Sequence, residues 1–382
     1  MEKAYRSTSE LSQYEAVTES QLQLLHYLLE AAVQAPSWYN SQPWLFQIKD
    51  SSIQVYLNPD ADQSLFDYNN INSTIACGAT VENIMIAAQA KDLSPRLTVL
   101  PDSTEQADLI ATINLDFDKE VRDEDSGEHN LESSIWSRHT NTLMYQSTPL
   151  QSSVQSSLLQ SVSHFKQTKL YLVDSDKDKH IVFNAYSKAD IIRFSRHDLH
   201  TRLYKIIRWN DIKAQQDKTG FTPASMGLCG IGEKLFQLTR SWYLMRFLNI
   251  FGMADNFAQR ANEGLLHCSA IGLITVKGID SGHLVEAGRA MQRLWLTANS
   301  MGLALQPLNS LLLFNCIKQD SKSSAFDAKE KKIIDQAMQS LSDSFSALNT
   351  DNNHEIGAFL FRVGIGESVQ GFSLRESAKI KQ

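Results

Sequence analysis

Two long apolar stretches with helical periodicity, one in each half of the chain, constrain the fold most. They are ACGATVENIMIAAQAKDL (76–93) and EAGRAMQRLWLTANSMGLAL (286–305). Apolar residues on almost every side are typical of a buried helix. Aligning Gly78 with Gly288 also aligns Ala88 with Ala298. Any two buried helices share such periodicity, but predicted strands flank both, so the pattern favours one core built from two similar lobes.

Strand-like segments accompany both helices. Residues 44–60, WLFQIKDSSIQVYLNPD, contain two β-rich runs around an Asp-Ser-Ser turn and predict a hairpin. Further strands are predicted at 109–117, 168–173, 269–278 and 357–366, and helices at 20–35 and across about 180–265. The acidic, turn-rich segment 118–130 is the predicted boundary between the halves, and the segment 315–355 receives no role. These elements together predict an α+β chain.

Charge and cysteine usage exclude several classes of function. The 382 residues include 36 basic and 43 acidic side chains, so the net charge of −7 offers no basic face, and we expect no nucleic-acid partner. The four cysteines lie far apart, without a C-x-x-C pair or a histidine at ligand spacing. This pattern predicts neither a disulfide framework nor a metal site.

No apolar run is long enough to span a bilayer, and the first seventeen residues are polar. The sequence therefore predicts a cytoplasmic protein without a membrane partner. The most apolar stretch, residues 238–253, is interrupted by Arg240, Arg246 and Asn249. It predicts an amphipathic helix, with contact to a membrane surface as the alternative.

Two polar clusters could carry chemistry. The first is the loop APSWYNSQPW (35–44), where Pro36 stops a helix and Ser37 and Asn40 can form turns. The second is Arg-His-Thr-Asn at 138–141, whose side chains can bind a phosphate or a polar ring edge. Their residue types alone favour structural roles, namely turns, aromatic packing, a surface ion pair and a helix cap. Residues 227–234 lack the third glycine of a dinucleotide motif, and no G-x-S-x-G is present.

Four motifs, at 35–44, 138–141, 287–310 and 359–377, together resemble the nitroreductase family of FMN-dependent oxidoreductases. The loop at 35–44 is similar to the family's A-P-S-x-x-N-x-Q-P-W signature, and residues 138–141 resemble its basic phosphate-binding motif. Residues 287–310 resemble the central helix and following turn. The segment FLFRVGIGESVQGFSLRES (359–377) is similar to the closing strand, with Arg375 as the second phosphate-binding arginine.

The resemblance implies a nitroreductase-like α+β fold of two similar lobes, with mixed or antiparallel sheets flanked by helices. Family members usually have the basic motif before the Pro-Ser loop, and two subunits share two sites. Here the loop precedes the basic motif, which implies a fused intramolecular pseudo-dimer with one FMN site. The lobes would be 18–130 and 131–376, the second with a helical lid insertion at about 190–265. We expect a monomer, because the dimer is built into one chain.

The resemblance also assigns cofactor-binding residues. They are Pro36, Ser37, Trp38, Asn40, Arg138, His139, Thr140, Asn141, Pro307, Leu308, Asn309, Ser310 and Arg375. The two arginines would neutralise the FMN phosphate, and Thr140 and Asn141 would hold phosphate or ring atoms. Ser37 and Asn40 would lie along the ribityl chain and ring edge, and the turn at 306–310 would aim backbone N–H groups at flavin N5 and O4. Glu376 departs from the paired arginines of relatives.

The implied activity is transfer of electrons from NAD(P)H through FMN to a small organic acceptor. Because the flavin carries the chemistry, no catalytic side chain is predicted. The acceptor and the choice between NADH and NADPH stay open. A catalytically poor FMN-storage protein with a lid over the flavin is the alternative, and a cofactor-free scaffold is a third possibility.

Overall fold

The computed structural model describes residues 18–100, 108–117, 128–228, 230–349, 355–367, 369 and 373–381. The helices are α1 Glu19–Val33, α2 Ile71–Gln89, α3 Glu128–Ser137, α4 Ser152–Ser163, α5 Asp176–Ser195, α6 His197–Ile206, α7 Asp211–Asp217, α8 Gly230–Leu238, α9 Trp242–Asn249, α10 Met253–Asn262, α11 Ser281–Ser300, α12 Ser310–Gln319 and α13 Ala328–Ser344. The strands are β1 Trp44–Lys49, β2 Ser52–Leu57, β3 Arg96–Val99, β4 Leu109–Asn114, β5 Tyr145–Gln146, β6 Thr168–Val173, β7 Ala270–Val276, β8 Ala304–Pro307 and β9 Ile356–Gly366. The predicted α+β class is confirmed.

Two antiparallel sheets repeat one topology. The first has the strand order β1-β2-β4-β3. In the second, β6 pairs with β7, β7 with β9 and β9 with β8, while the short β5 pairs with the end of β9. In both sheets the buried helix, α2 or α11, follows the second strand in sequence. The shared order turns a weak sequence similarity into a structural repeat.

The helices α2 and α11 pack against each other at the centre of the molecule. A Cβ on Gly78 would lie 2.3 Å from the carbonyl oxygen of Val285, and one on Gly288 would lie 2.0 Å from that of Ile75. Each carbonyl belongs to the residue three positions before the opposing glycine. The crossing therefore has approximate two-fold symmetry, like the self-complementary interface of a dimer.

A buried polar layer follows the glycines. Glu82, four residues after Gly78, accepts from Nε of Arg289 at 2.8 Å and from Nε of Arg293 at 2.5 Å. Gln292, four residues after Gly288, donates from Nε2 to Oδ1 of Asn83 at 2.7 Å. The same helical position thus holds an ion pair on one side and an amide pair on the other.

The halves differ in their connections. Residues 50 and 51 alone join β1 to β2, as the predicted hairpin requires, whereas residues 174–269 with helices α5 to α10 join β6 to β7. The insertion therefore begins before residue 190, the predicted start of the lid. The last described residues return to the first sheet, because the N–H of Phe46 donates to the carbonyl of Lys379 at 2.9 Å.

Several sequence-based boundaries need correction. The helix predicted to run to residue 305 ends at Ser300, because Gly302 turns the chain with φ +73°. Strand β8 follows, so Pro307 is the end of a strand rather than part of a turn. In the segment without an assigned role, α13 packs against α5. The predicted boundary at 118–130 lies outside the described residues up to 127, and the lobe limits 18–130 and 131–376 stay predictions.

Candidate anion and cofactor site

The loop between α1 and β1 has an unusual backbone. Tyr39, Asn40 and Gln42 have φ values of 52°, 53° and 52°, in the left-handed region. Asparagine tolerates this region, but a tyrosine or glutamine there costs on the order of 1 kcal/mol or more. Such strain persists only where surrounding contacts hold it, and it is concentrated at functional sites.

Contacts from distant parts of the chain hold this loop. Nδ2 of Asn40 donates to the carbonyls of Lys218 at 3.1 Å and Leu374 at 2.9 Å. Nε2 of Gln42 also donates to the carbonyl of Lys218, at 2.8 Å, and its backbone N–H donates to Oγ of Ser37 at 3.0 Å. The loop of the first half is thus fixed by the insertion and by the C-terminal segment.

Two arginines meet beside this loop. Nη1 of Arg375 donates to Oδ1 of Asn40 at 2.7 Å. Nη2 of Arg138 donates to the carbonyl of Gln34 at 3.1 Å, and its guanidinium lies 4.5 Å from the centre of the Trp295 ring. Nε of each arginine is buried without a hydrogen-bond partner. The two guanidinium groups therefore keep unused donors inside the protein.

Burial and mutual repulsion disfavour the charges of these arginines. Burial, and then the neighbouring charge of Arg375, lowers the pKa of Arg138 to about 9, and burial lowers the pKa of Arg375 to about 10. No ion pair involves either arginine within the described ranges. Glu376 pairs with Lys379 instead. Two adjacent cations without a counter-ion, each with a free donor, form a site suited to a multiply charged anion.

The other residues of the basic motif have different surroundings. Nδ1 of His139 lies 3.0 Å from the carbonyl of Ser137, and Thr140 is exposed. Asn141 is buried, and its Nδ2 donates to the carbonyl of Glu367 at 2.7 Å while its Oδ1 accepts from the N–H of Leu143. Of these four residues, Arg138 is the one whose charge interacts with that of Arg375.

The segment at 307–310 is tied to β9 and α5. The N–H of Leu308 donates to the carbonyl of Leu360 at 2.7 Å, so this donor is committed. Oδ1 of Asn309 accepts from the N–H of Leu360 at 2.9 Å, and Oγ of Ser310 donates to Asp190 at 2.7 Å. No hydrogen bond in the described structure joins this segment, including Pro307, to Arg138 or Arg375.

A second polar group, formed by Tyr39, Asp190 and Arg193, lies beside the loop, and the sequence did not indicate it. Nη2 of Arg193 donates to the hydroxyl of Tyr39 at 3.3 Å, and Asp190, on the same helix, also accepts from Nδ2 of Asn262 at 3.0 Å. Burial raises the pKa of the Tyr39 phenol, while the charge of Arg193 lowers it. Arg193 is half-buried against this loop. Its three-residue spacing from Asp190 was the available signal.

Aromatic rings cover the loop. Trp38 stacks on Phe66 at 5.9 Å between ring centres, and Phe221 of the insertion meets Tyr39 edge-on at 5.9 Å. Pro36 follows the end of α1 and is half-buried. The predicted loop residues therefore lie between the two halves, under residues of the insertion.

The described residues contain no group of three or more histidine, cysteine, aspartate or glutamate side chains placed to hold a metal ion. Their helices are all too short or too polar to span a membrane.

No protein-family model matches the chain. An uncharacterised protein from Mycobacterium tuberculosis is 24% identical over 285 residues, covering 75% of this chain and 38% of that protein. A candidate NAD(P)H nitroreductase from the same species is 26% identical over 88 residues, covering 23% of this chain and 25% of that protein. The matches thus span well under half of these relatives' lengths.

Solved structures similar to this chain include two described as nitroreductases. A candidate nitroreductase from Anabaena variabilis matches with 10% identity and a TM-score of 0.45, covering 96% of this chain and 92% of that one. The FMN-dependent nitroreductase NfnB from Mycobacterium smegmatis, solved with NADPH, matches with 9% identity and a TM-score of 0.37, covering 65% of this chain and 95% of that one. These TM-scores are too low to assign a function to this chain.

Proposed function

We propose that this chain is an FMN-dependent oxidoreductase of the nitroreductase type, which moves electrons from NAD(P)H to a small organic acceptor. The pair Arg138 and Arg375 carries the proposal. Both Nε atoms are buried without a partner, and no described carboxylate pairs with either guanidinium. A phosphate group carries two negative charges and several acceptor oxygens, so it fits what this pair lacks.

Neighbouring residues fit the rest of such a ligand. The Ser37 hydroxyl accepts from Gln42, which leaves its own proton available for a phosphate or ribityl oxygen. Asn40 uses its amide to hold Arg375, so its proposed role is to position that arginine. The rings of Trp38 and Tyr39 offer flat apolar surface for the ring system of a ligand.

The protein's contribution would be to bind and orient the cofactor and to exclude water. When bound, FMN supplies hydride acceptance and donation. Lys218 and Phe221 of the insertion close over the loop and would shield its ligand from solvent. Tyr39 and Arg193 offer a phenol proton and a cation beside the loop. Pro307, Leu308, Asn309 and Ser310, with His139, Thr140 and Asn141, remain predicted contacts.

The test is titration of the purified chain with FMN, with binding measured by flavin fluorescence. We expect one FMN per chain, with Arg138→Gln and Arg375→Gln each weakening binding by about 100-fold, because each removes a charged partner of the phosphate. Arg96→Gln on strand β3, an exposed arginine, is the matched control and should bind as the parent chain does. Absence of FMN binding, or unchanged affinity in both variants, would contradict the proposal.

A second candidate, an FMN store, is favoured by one observation. The carbonyl of Lys218 accepts from both Asn40 and Gln42, so the insertion is bonded directly onto the loop. A closed cover would keep reductant from the flavin. Rapid mixing of the FMN-loaded chain with NADH or NADPH separates the two functions. Fast bleaching of the flavin supports the oxidoreductase, and a bound flavin that stays oxidised supports storage.

Four further features of the proposal need their own measurements. Comparing bleaching rates identifies the preferred nicotinamide, and screening nitro compounds and quinones identifies the acceptor class. Sedimentation analysis tests the expected monomer. The cytoplasmic location stays a prediction that cell fractionation can check.

A further inference from the structure

The helices α8 and α9 expose an unusual number of large apolar side chains. We call this surface the apolar ridge, and its members are Leu235, Leu238, Tyr243, Leu244, Phe247, Ile250 and Phe251. Tyr243 is 85% exposed, Ile250 76% and Phe251 75%. Scattered apolar residues are normal on a protein surface, but a contiguous set of this size usually marks an interaction site.

The ridge follows one helix face. Tyr243, Phe247, Ile250 and Phe251 are spaced by four, three and one residues. This spacing places them on the same side of α9 and of the two residues that follow it. Met245 lies on the opposite side and is 1% exposed. The helix is therefore anchored by one face and presents the other to solvent.

Contacts within the insertion also fix the turn between α8 and α9. The carbonyl of Thr239 lies 2.9 Å from Nε2 of His200, and the Thr239 hydroxyl lies 2.6 Å from that of Tyr204. The ring of Trp242 packs 5.2 Å from the imidazole of His200. These bonds hold the polar and half-buried residues inward, so the outward direction of the ridge is built into the fold.

The charged residues within the sequence of the ridge have one sign. Residues 234–254 contain Lys234, Arg240 and Arg246 but no aspartate or glutamate, with Glu233 and Asp255 just outside this segment, although the chain as a whole carries −7. All three basic residues are exposed. Arg246 stands three residues after Tyr243 and four before Ile250, so it lies among the apolar members. An apolar face that contains arginine and an exposed tyrosine is typical of helices that lie in a membrane interface.

We propose that the apolar ridge binds the surface of an anionic lipid bilayer, with its rings and aliphatic side chains at the acyl boundary and its three cations at the headgroups. Charge complementarity favours this occupant over a second copy of the chain. A symmetric contact between two ridges would place like charges together, which is unfavourable. The chain would attach peripherally, which revises the predicted absence of a membrane partner without requiring a spanning helix.

The test is flotation of the full chain with vesicles of phosphatidylcholine alone or mixed with phosphatidylglycerol. We expect binding to the anionic vesicles that weakens as salt is raised. Arg240→Gln combined with Arg246→Gln should lower the partition coefficient by about 25-fold, taking roughly fivefold for each cation. Ile250→Ser combined with Phe251→Ser should lower it by at least about tenfold, because interfacial binding scales with buried apolar area.

Two control variants distinguish binding by the apolar ridge from non-specific adsorption to vesicles. Leu159→Ser on α4 removes another exposed apolar side chain, and Arg96→Gln removes another exposed cation. Both should bind vesicles as the parent chain does. Equal binding to neutral and anionic vesicles, no binding to either, or unchanged binding in both ridge variants would overturn the proposal. So would self-association that Ile250→Ser with Phe251→Ser abolishes, since a second copy would then be the occupant.

Discussion

The two halves of the molecule share a strand order and a buried helix, yet each has lengthened a different connection. Between α1 and β1 the first half has the ten residues 34–43, whereas the corresponding connection between α4 and β6 in the second half has only the four residues 164–167. The second half instead lengthens the connection between its first two strands, residues 174–269. The repeat supplies the core, and the unequal connections supply the candidate site.

The two long connections meet. Lys218 lies in the insertion of the second half, and its carbonyl accepts from Asn40 and Gln42 in the loop of the first half. Because each half has only one of the two connections, the contact can form once per chain. This asymmetry is the physical basis for expecting a single cofactor site.

Replacing Glu82 should produce the largest loss of stability. At this position the two central helices differ, because α2 has a charged side chain where α11 has the neutral Gln292. Glu82 is fully buried and bound by Arg289 and Arg293. Glu82→Gln leaves both guanidinium groups without their counter-charge, so we expect the free energy of unfolding to fall by about 3–5 kcal/mol. Gln292→Ala, at the corresponding position of α11, removes neutral hydrogen bonding and should cost about 1–3 kcal/mol. Urea unfolding measures both, and equal losses would contradict the ranking.

A buried carboxyl in the first half should make its stability depend on pH. Burial raises the pKa of Asp67 from 3.8 to about 7, although Ser73 donates to both of its oxygens. Between these values the folded chain holds a proton that the unfolded chain has lost, so stability should fall as pH rises from about 4 to about 7 and level off above. The full shift corresponds to about 4 kcal/mol.

The measurement for Asp67 is urea unfolding at pH 5 and pH 8. Asp67→Asn should remove most of the difference between the two pH values, while the exposed Asp60→Asn should leave it as in the parent chain. Asp67 lies in the connection between β2 and α2, residues 58–70. The corresponding connection of the second half, between β7 and α11, is only the four residues 277–280. An unchanged pH dependence in Asp67→Asn would show that another group carries it.

Substitutions at Gly78 and Gly288, where α2 and α11 cross, test the approximate two-fold symmetry of the two halves. Gly78→Ala and Gly288→Ala each place a Cβ within 2.3 Å of a helix carbonyl oxygen, so the helices must separate. We expect losses of about 1–3 kcal/mol that agree between the two variants, because the contacts are related by the approximate two-fold. Gly232→Ala on α8, where a Cβ meets no atom within 4 Å, should be neutral or stabilising. Clearly unequal losses at Gly78 and Gly288 would argue against the symmetry.

The sequence predicted the shared parts of the halves better than the unequal ones. Periodicity predicted the hairpin within 44–60 and the strand at 168–173, and the alignment of Gly78 with Gly288 indicated two similar lobes, although not that the two helices cross at these glycines. These features depend on local pattern. The contact of Asn40 with Arg375 joins residues 335 positions apart, so no local pattern reveals it, although the resemblance named both residues. The contact of Arg193 with Tyr39 was not indicated either, because helical spacing does not tell which face a neighbouring segment will cover.

The smallest effect should come from loosening the contact between the long connections. Gln42 donates to the carbonyl of Lys218 at 2.8 Å and accepts from the N–H of Glu376 at 2.9 Å. Gln42→Ala should lower global stability by only about 1 kcal/mol, because two neutral hydrogen bonds are exchanged for water. The amides of residues 218–221 and 376 should nevertheless exchange hydrogen faster, since the insertion and the C-terminal segment lose a common anchor. Gln47→Ala on β1, which loses a bond to Tyr56, is the matched control and should leave those amides protected. If both variants exchange alike, Gln42 does not hold the two connections together, and the contacts of Asn40 and Tyr39 with the insertion must fix it over the loop.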